Sequence, residues 1–125
     1  MNALRRIRRS LVKGGVLLDL QPMLDNAPAT NSDGELGRLD EREFRAFADR
    51  VNLALEGTVS EGLFAYESEA SFDVVHRFNG AAELLAEVKT WRGTTVPPSL
   101  LRGLEQSRPP LDVHEGAKLR RFRAL

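Results

Sequence analysis

Around Gly62 the chain changes its hydrophobic period, and that switch constrains the fold more than any other feature. Before it, Phe44, Phe47, Ala48, Val51, Leu55 and Val59 recur at helical spacing. After it, Phe64, Tyr66, Ala70, Phe72, Val74 and Phe78 alternate with Glu67, Glu69, Asp73 and Arg77. A 3.6-residue period giving way to a period of two predicts a long amphipathic helix and then a strand with one wet face. Asp40 reads as the helix N-cap, with Glu43 three residues on completing a capping-box pattern, and Gly62 as the stop. A strand over 63–78 is too long to stay straight, which predicts a bulge near Ser68–Ser71.

The flanking segments extend the same alternation of helix and strand. Leu4, Ile7 and Leu11 form one apolar stripe over residues 3–13, and Gly14-Gly15 supplies a left-handed helix end. Val16-Leu17-Leu18-Asp19-Leu20 follows as a short, nearly continuous apolar strand of the kind buried on both faces, with Pro22 stopping it. Residues 23–39 are rich in Asn, Asp, Gly and Pro, lack periodicity and read as a loop. Beyond the long strand, Asn79 is placed to cap a helix whose Ala81, Leu84, Leu85, Val88 and Trp91 share a face. Pro97-Pro98 opens a short helix through Leu100, Leu101 and Leu104, and Pro109-Pro110 closes it. Val113 to Phe122 is the final strand, with Val113, Ala117 and Leu119 on one side. No repeat or low-complexity tract interrupts this order.

With 125 residues the chain predicts one domain. It has no cysteine, which excludes disulfides, thiolate metal sites and cysteine nucleophiles. The longest apolar run, Gly14 to Leu18, is too short for a membrane span, and the basic start lacks a signal-peptide core, so a cytoplasmic protein with no membrane partner is expected. Net charge is zero but unevenly spread. Arg5, Arg6, Arg8, Arg9 and Lys13 crowd one end, Lys118, Arg120, Arg121 and Arg123 the other. Without interleaved aromatics these runs read as solvated basic faces rather than a nucleic-acid surface.

The stretch from Ala3 through Val12-Lys13-Gly14-Gly15 to Asp19 resembles a segment of class I S-adenosylmethionine-dependent methyltransferases. There, a helix with a basic end enters a Lys-Pro-Gly-Gly-like turn and then the fifth strand; this chain lacks the proline. The remainder resembles that family's fifth helix and its sixth and seventh strands, with a helical insertion at 79–108. Other doubly wound α/β proteins also run a helix through Gly-Gly into a buried strand. The resemblance implies an α/β fold, a partial Rossmann-like methyltransferase fold with a small mixed sheet and covering helices. The Val16 strand is expected on one edge, the terminal strand central and antiparallel, and residues 63–78 on the far edge.

The family's glycine-rich cofactor loop and ribose-binding carboxylate have no counterpart here. The resemblance therefore implies a fragment that binds no S-adenosylmethionine in isolation and is inactive alone. It would be a pseudoenzyme or one half of a split or truncated enzyme, and Met1 falling inside a family element points the same way. The alternatives are an oligomerisation or interaction module and, below that, a nucleic-acid-associated protein using the arginine-rich ends. In the family the fifth strand is flanked by a fourth that this chain lacks. The Val16–Leu20 edge is then expected to pair with a second copy or with a separate cofactor-binding half.

Candidate chemistry is sparse. Asp19, Gln21 and Pro22 lie at the carboxyl end of a strand, where open α/β sheets place ligands; strand-end hydrogen bonding is the plainer account. His76 and His114 are the two histidines, and either would need a converging carboxylate or imidazole to act as base or ligand. His76, between Val74 and Phe78, reads as a half-buried structural imidazole, and Trp91 as a core residue. His114 and Glu115 alternate faces and cannot ligate together. The serines sit in no nucleophile elbow, and Asp33-Gly34-Glu35 lacks calcium-loop spacing. No catalytic, cofactor-binding or metal residue is assigned.

Overall fold

The computed structural model describes residues 2–23 and 26–125. Its elements in chain order are α1 (Asn2–Ser10), β1 (Val16–Met23), β2 (Pro28–Asn31), β3 (Gly34–Arg38), α2 (Arg42–Ser60), β4 (Phe64–Phe78), α3 (Ala81–Val88), α4 (Pro98–Glu105) and β5 (Leu111–Ala124). The five strands form one antiparallel sheet in which β5 pairs with β1, β2 and β4, and β2 pairs with β3. The terminal strand thus pairs with both strands expected beside it. The sheet is nevertheless larger than the three strands anticipated, and antiparallel rather than mixed.

The additional strands come from the segment read as a loop. Asn31 Oδ1 accepts the Asp33 N–H at 2.9 Å, and Gly34 holds a φ of 127°, so residues 31–34 make a tight turn. Across it Pro28 pairs with Arg38 and Asn31 with Gly34, with an irregularity between Ala29 and Thr30. Ala29 and Thr30 pair in turn with Val113 and Asp112 of β5. Ala29 is the one aliphatic residue of β2, so no alternation betrayed it; backbone pairing makes these residues strands. Leu24 and Asp25, within the same expected loop, lie outside the described residues.

Pro22 does not end β1, which runs on to Met23. A proline is tolerated on an edge strand because its missing N–H leaves no partner unsatisfied. At the start of β1, Gly14 takes a φ of 84° and its N–H donates to the Ala124 carbonyl at 2.8 Å, while Ala124 N–H returns to Gly15 O at 2.8 Å. The glycine pair therefore ends the helical segment and also opens the β1–β5 pairing. The α1 helix itself stops at Ser10, short of the residue 13 anticipated.

The chain divides into two compact units. The first comprises the described residues up to Gln21 with Phe47–Phe72 and Ala117–Leu125. Its core is Leu4, Leu55, Phe64, Phe122 and Ala124, with Leu11, Leu17 and Val51 packed against them. The second comprises Pro22–Ala46 and Asp73–Gly116. Its core draws on Ala29, Leu39, Phe78, Leu84, Val88, Leu100, Leu104, Leu111 and Val113. In α2, Thr58 is buried and its hydroxyl donates to Leu55 O at 2.6 Å, while Val59 is exposed, one residue off the expected stripe. In β4, Phe64 and Phe78 are buried, one in each core, but residues 66–73 are exposed throughout. The expectation of one dry face along its whole length therefore fails: Tyr66 and Phe72 face solvent.

Arginines of the basic ends find partners within the first unit. Arg120 Nε and Nη2 donate to Asp19 Oδ2 at 2.9 and 2.7 Å, and Nη2 also reaches Asn52 Oδ1 at 2.6 Å. Arg121 and Arg123 both donate to Glu67, at 2.9 and 2.7 Å, and these bonds hold its carboxyl below the usual range. Arg5 pairs with Glu61 on the surface at 3.0 Å. The Asp19–Arg120 side chains are only 16% and 11% exposed, so removing one leaves the other desolvated and uncompensated. Asp19→Ala is expected to cost about 2–3 kcal/mol. Glu61→Ala, at an exposed pair, should cost no more than about 0.5 kcal/mol. Urea unfolding of the two variants measures the contrast.

Candidate functional site

The second unit contains a cavity of about 210 Å³ lined by Pro22, Glu41, Phe44, His76, Trp91, Arg92, Thr94 and Glu115. Local bonding fixes each wall. Asp40 and Thr95 exchange backbone bonds at 2.9 Å in both directions, and Leu39 N–H donates to Ala27 O at 3.0 Å. Asp40 Oδ1 also accepts the Arg42 N–H at 3.1 Å, which starts α2 much as the cap reading anticipated. Glu41, held between these anchors, donates its N–H to Asn26 Oδ1 at 3.0 Å and is 2% exposed.

The opposite wall depends on a glycine. Gly93, with φ at 68°, follows Trp91 and Arg92 and accepts the Phe44 N–H at 3.3 Å. A Cβ at this position would lie 2.5 Å from the Phe44 nitrogen, so no other residue allows this approach. Trp91 lies beyond the end of α3 at Val88. Its indole N–H donates to Glu87 Oε1 at 3.4 Å, and its ring sits 5.1 Å from the His76 ring, tilted by 56°.

Across the cavity His76 Nε2 lies 3.1 Å from Glu115 Oε2. Glu41 Oε2 is buried and has no hydrogen-bond partner among the described residues. Burial raises the Glu41 carboxyl above its ordinary value, and the charge of Glu115 adds to the rise; backbone N–H groups of Ala27 and Asn26 and the charge of Arg45 oppose it. The site therefore combines an imidazole–carboxylate pair, a second carboxyl whose Oε2 lacks a donor among the described residues, and aromatic walls. Among the described residues no group of three or more His, Asp or Glu side chains could hold a metal ion.

Of the three strand-end residues singled out by sequence, only Pro22 borders this cavity. Asp19 is committed to Arg120, and Gln21 donates to Asp19 at 3.0 Å. The strand-end hydrogen-bonding account holds for that pair. His76 has the converging carboxylate that a functional role required, supplied by a residue 39 positions away. His114 bonds instead to Thr30 Oγ1 at 2.8 Å, so the two histidines have separate partners, as the alternation of His114 and Glu115 implied. Trp91 packs against the second core, as expected, and also lines the cavity. Glu41 was missed because its significance lies in burial; the neighbouring Asp40 carried the only visible signal.

Three larger clefts hold less chemistry, one of about 430 Å³ being lined by Asp40, Arg42, Glu43 and Thr95, with Asp40 and Arg42 already paired to each other. One of about 390 Å³ in the first unit is bordered by Arg120, already bound to Asp19 and Asn52. One of about 410 Å³ beside α3 and α4 is lined by aliphatic residues, threonines and Lys89. Between β1 and α2, Gly34 serves the hairpin turn and Gly37 permits a close approach of Leu100.

Glu41 carries a sign that can be measured. Its folded-state pKa lies above its ordinary 4.5, so protonation favours the folded protein and this contribution is lost as pH rises through the folded value. Glu41→Gln removes the charge at every pH. Its melting temperature is expected to exceed that of the wild type by at least about 3 °C at pH 7, with the gap closing near pH 4. Differential scanning calorimetry across that range measures it.

Comparison of the chain with protein-family models, with curated proteins and with solved structures finds no match, so function is argued from the cavity's own geometry.

Proposed function

We propose that this chain is a small-ligand binding domain and that the cavity around Glu41, His76, Trp91 and Glu115 is its site. One observation carries the reading: Glu41, a lining residue, is 2% exposed, and its Oε2 lacks a hydrogen-bond partner among the described residues. An unsatisfied buried oxygen costs roughly 1–3 kcal/mol, more when charged, and groups of this kind with perturbed titration cluster at functional sites. A raised carboxyl beside a carboxylate-held imidazole is also the usual company of a binding or proton-transfer site. Trp91 is the only tryptophan in the chain, so its fluorescence reports on this cavity alone. A library of fragments with about six to ten non-hydrogen atoms, suited to a cavity below drug-sized volume, should yield compounds that change the emission saturably. His76→Ala should weaken those responses. A library without one saturating compound removes the reading.

A second reading follows from β1. Here the chain is a methyltransferase-like half, inactive alone, that works by association. The pairing of β5 with both β1 and β4 supports it, because that is the neighbourhood the resembled fifth, seventh and sixth strands have. The outward positions of β1 support it too: Val16, Leu18 and Leu20 are 36%, 59% and 63% exposed. An edge strand with apolar side chains and no charge between residues 14 and 18 invites pairing with another chain. The occupant is a second copy. Light scattering coupled to size exclusion at about 10 μM should give a dimer that Leu18→Lys dissociates; a monomeric wild type ends this reading.

A further inference from the structure

We infer that two copies of this chain join along β1, antiparallel about a two-fold axis at Leu18, so that their sheets become one. The inference rests on the second reading above, association through β1, and adds which residues meet.

Backbone direction decides which groups of β1 are free. The Gly15 carbonyl accepts the Ala124 N–H at 2.8 Å, so the Gly15 backbone faces β5. N–H and C=O groups change sides at each residue of a strand. Leu17 and Asp19 therefore turn theirs toward β5, and Val16, Leu18 and Leu20 turn theirs outward. Pro22 falls in the outward set, where its missing N–H takes no bond from β5. No described strand pairs with that outer side. The usual edge guards are absent as well: no charge or proline lies within residues 14–18, and Asp19 is held by Arg120.

The sequence of the edge makes it its own complement. A closed pair of identical chains has a two-fold axis, and an axis normal to the sheet sets the two β1 strands antiparallel. Each outward residue must then oppose another outward residue if their backbone groups are to bond. With the axis at Leu18, Leu18 meets Leu18 of the second copy and Val16 meets Leu20. Every exposed side chain of the strand segment is thus opposed by an apolar one. An axis at Asp19 would set two aspartates directly opposite, which is destabilising. One at Leu17 would place Leu20 against Gly14, ahead of the strand. One at Leu20 would place Leu18 against Pro22, which cannot donate.

The chain has no cysteine, so introduced cysteines report the register. Opposed residues of a hydrogen-bonded antiparallel pair lie about 5.5 Å apart at Cα, within disulfide reach. Leu18→Cys is expected to oxidise to a covalent dimer in about tenfold the yield of Val16→Cys or Leu20→Cys alone, because only it opposes itself. An equal mixture of the last two variants should restore the yield. Leu18→Pro removes an outward N–H and no bond to β5, so it should melt cooperatively and scatter light as a monomer. The cysteine comparison stands even if that variant fails to fold. A dimeric wild type in which Val16→Cys or Leu20→Cys alone crosslinks as well as Leu18→Cys overturns the Leu18 register and leaves association standing. A folded Leu18→Pro that remains dimeric does the same. A monomeric wild type removes both.

Discussion

β5 hydrogen-bonds to β1, β2 and β4, and the described sheet exists through that one strand. Its fourteen residues are enough to offer different partners along their length. Near its start Val113 and Asp112 meet β2, and near its end Ala124 meets Gly14 and Gly15. Leu111 and Val113 anchor one core, Phe122 and Ala124 the other. A change that broke β5 would remove buried residues from both cores at once, so this strand is the least replaceable element of the chain.

The side chains along β5 add a layer of charge matching. Asp112 accepts two bonds from Arg77, which hold its carboxyl below the usual range, and Glu115 is set against His76. Further along, Arg120 meets Asp19, and Arg121 and Arg123 meet Glu67. Most of these pairs are part-exposed and contribute modestly to stability. They are better understood as fixing register: a one-residue slip of β4 or β1 against β5 would set these side chains on opposite faces. The basic end of the chain is in this sense internal wiring.

Glu41 runs against this pattern. Elsewhere along β5, Asp19, Glu67 and Asp112 have arginine partners, whereas this carboxyl is nearly sealed from solvent and feels the charge of Glu115. The backbone around it is held by the Asp40–Thr95 pairing, the Asn26 side chain and the Gly93 approach to Phe44, and burial outweighs what the Ala27 and Asn26 N–H groups and the Arg45 charge return to the carboxyl. A rigid frame around a poorly satisfied polar group is the feature on which the proposed ligand site rests.

The sequence by itself determined the elements that periodicity or proline and glycine mark. These are the α2 helix and its stop at Gly62, the length of β4, the short helices at 81–88 and 98–105, and the Gly14-Gly15 turn into β1. Each rests on an interaction between residues close in the chain, which a linear pattern can record. The tertiary structure decided the rest. The β2–β3 hairpin is made of strands whose apolar side chains are too few to alternate, so only pairing with β5 defines it. The site needs Glu41, His76, Trp91 and Glu115 from four separate segments, and no spacing rule links them. What makes Glu41 distinctive is loss of solvent, a property that burial confers and that the residue type alone does not carry.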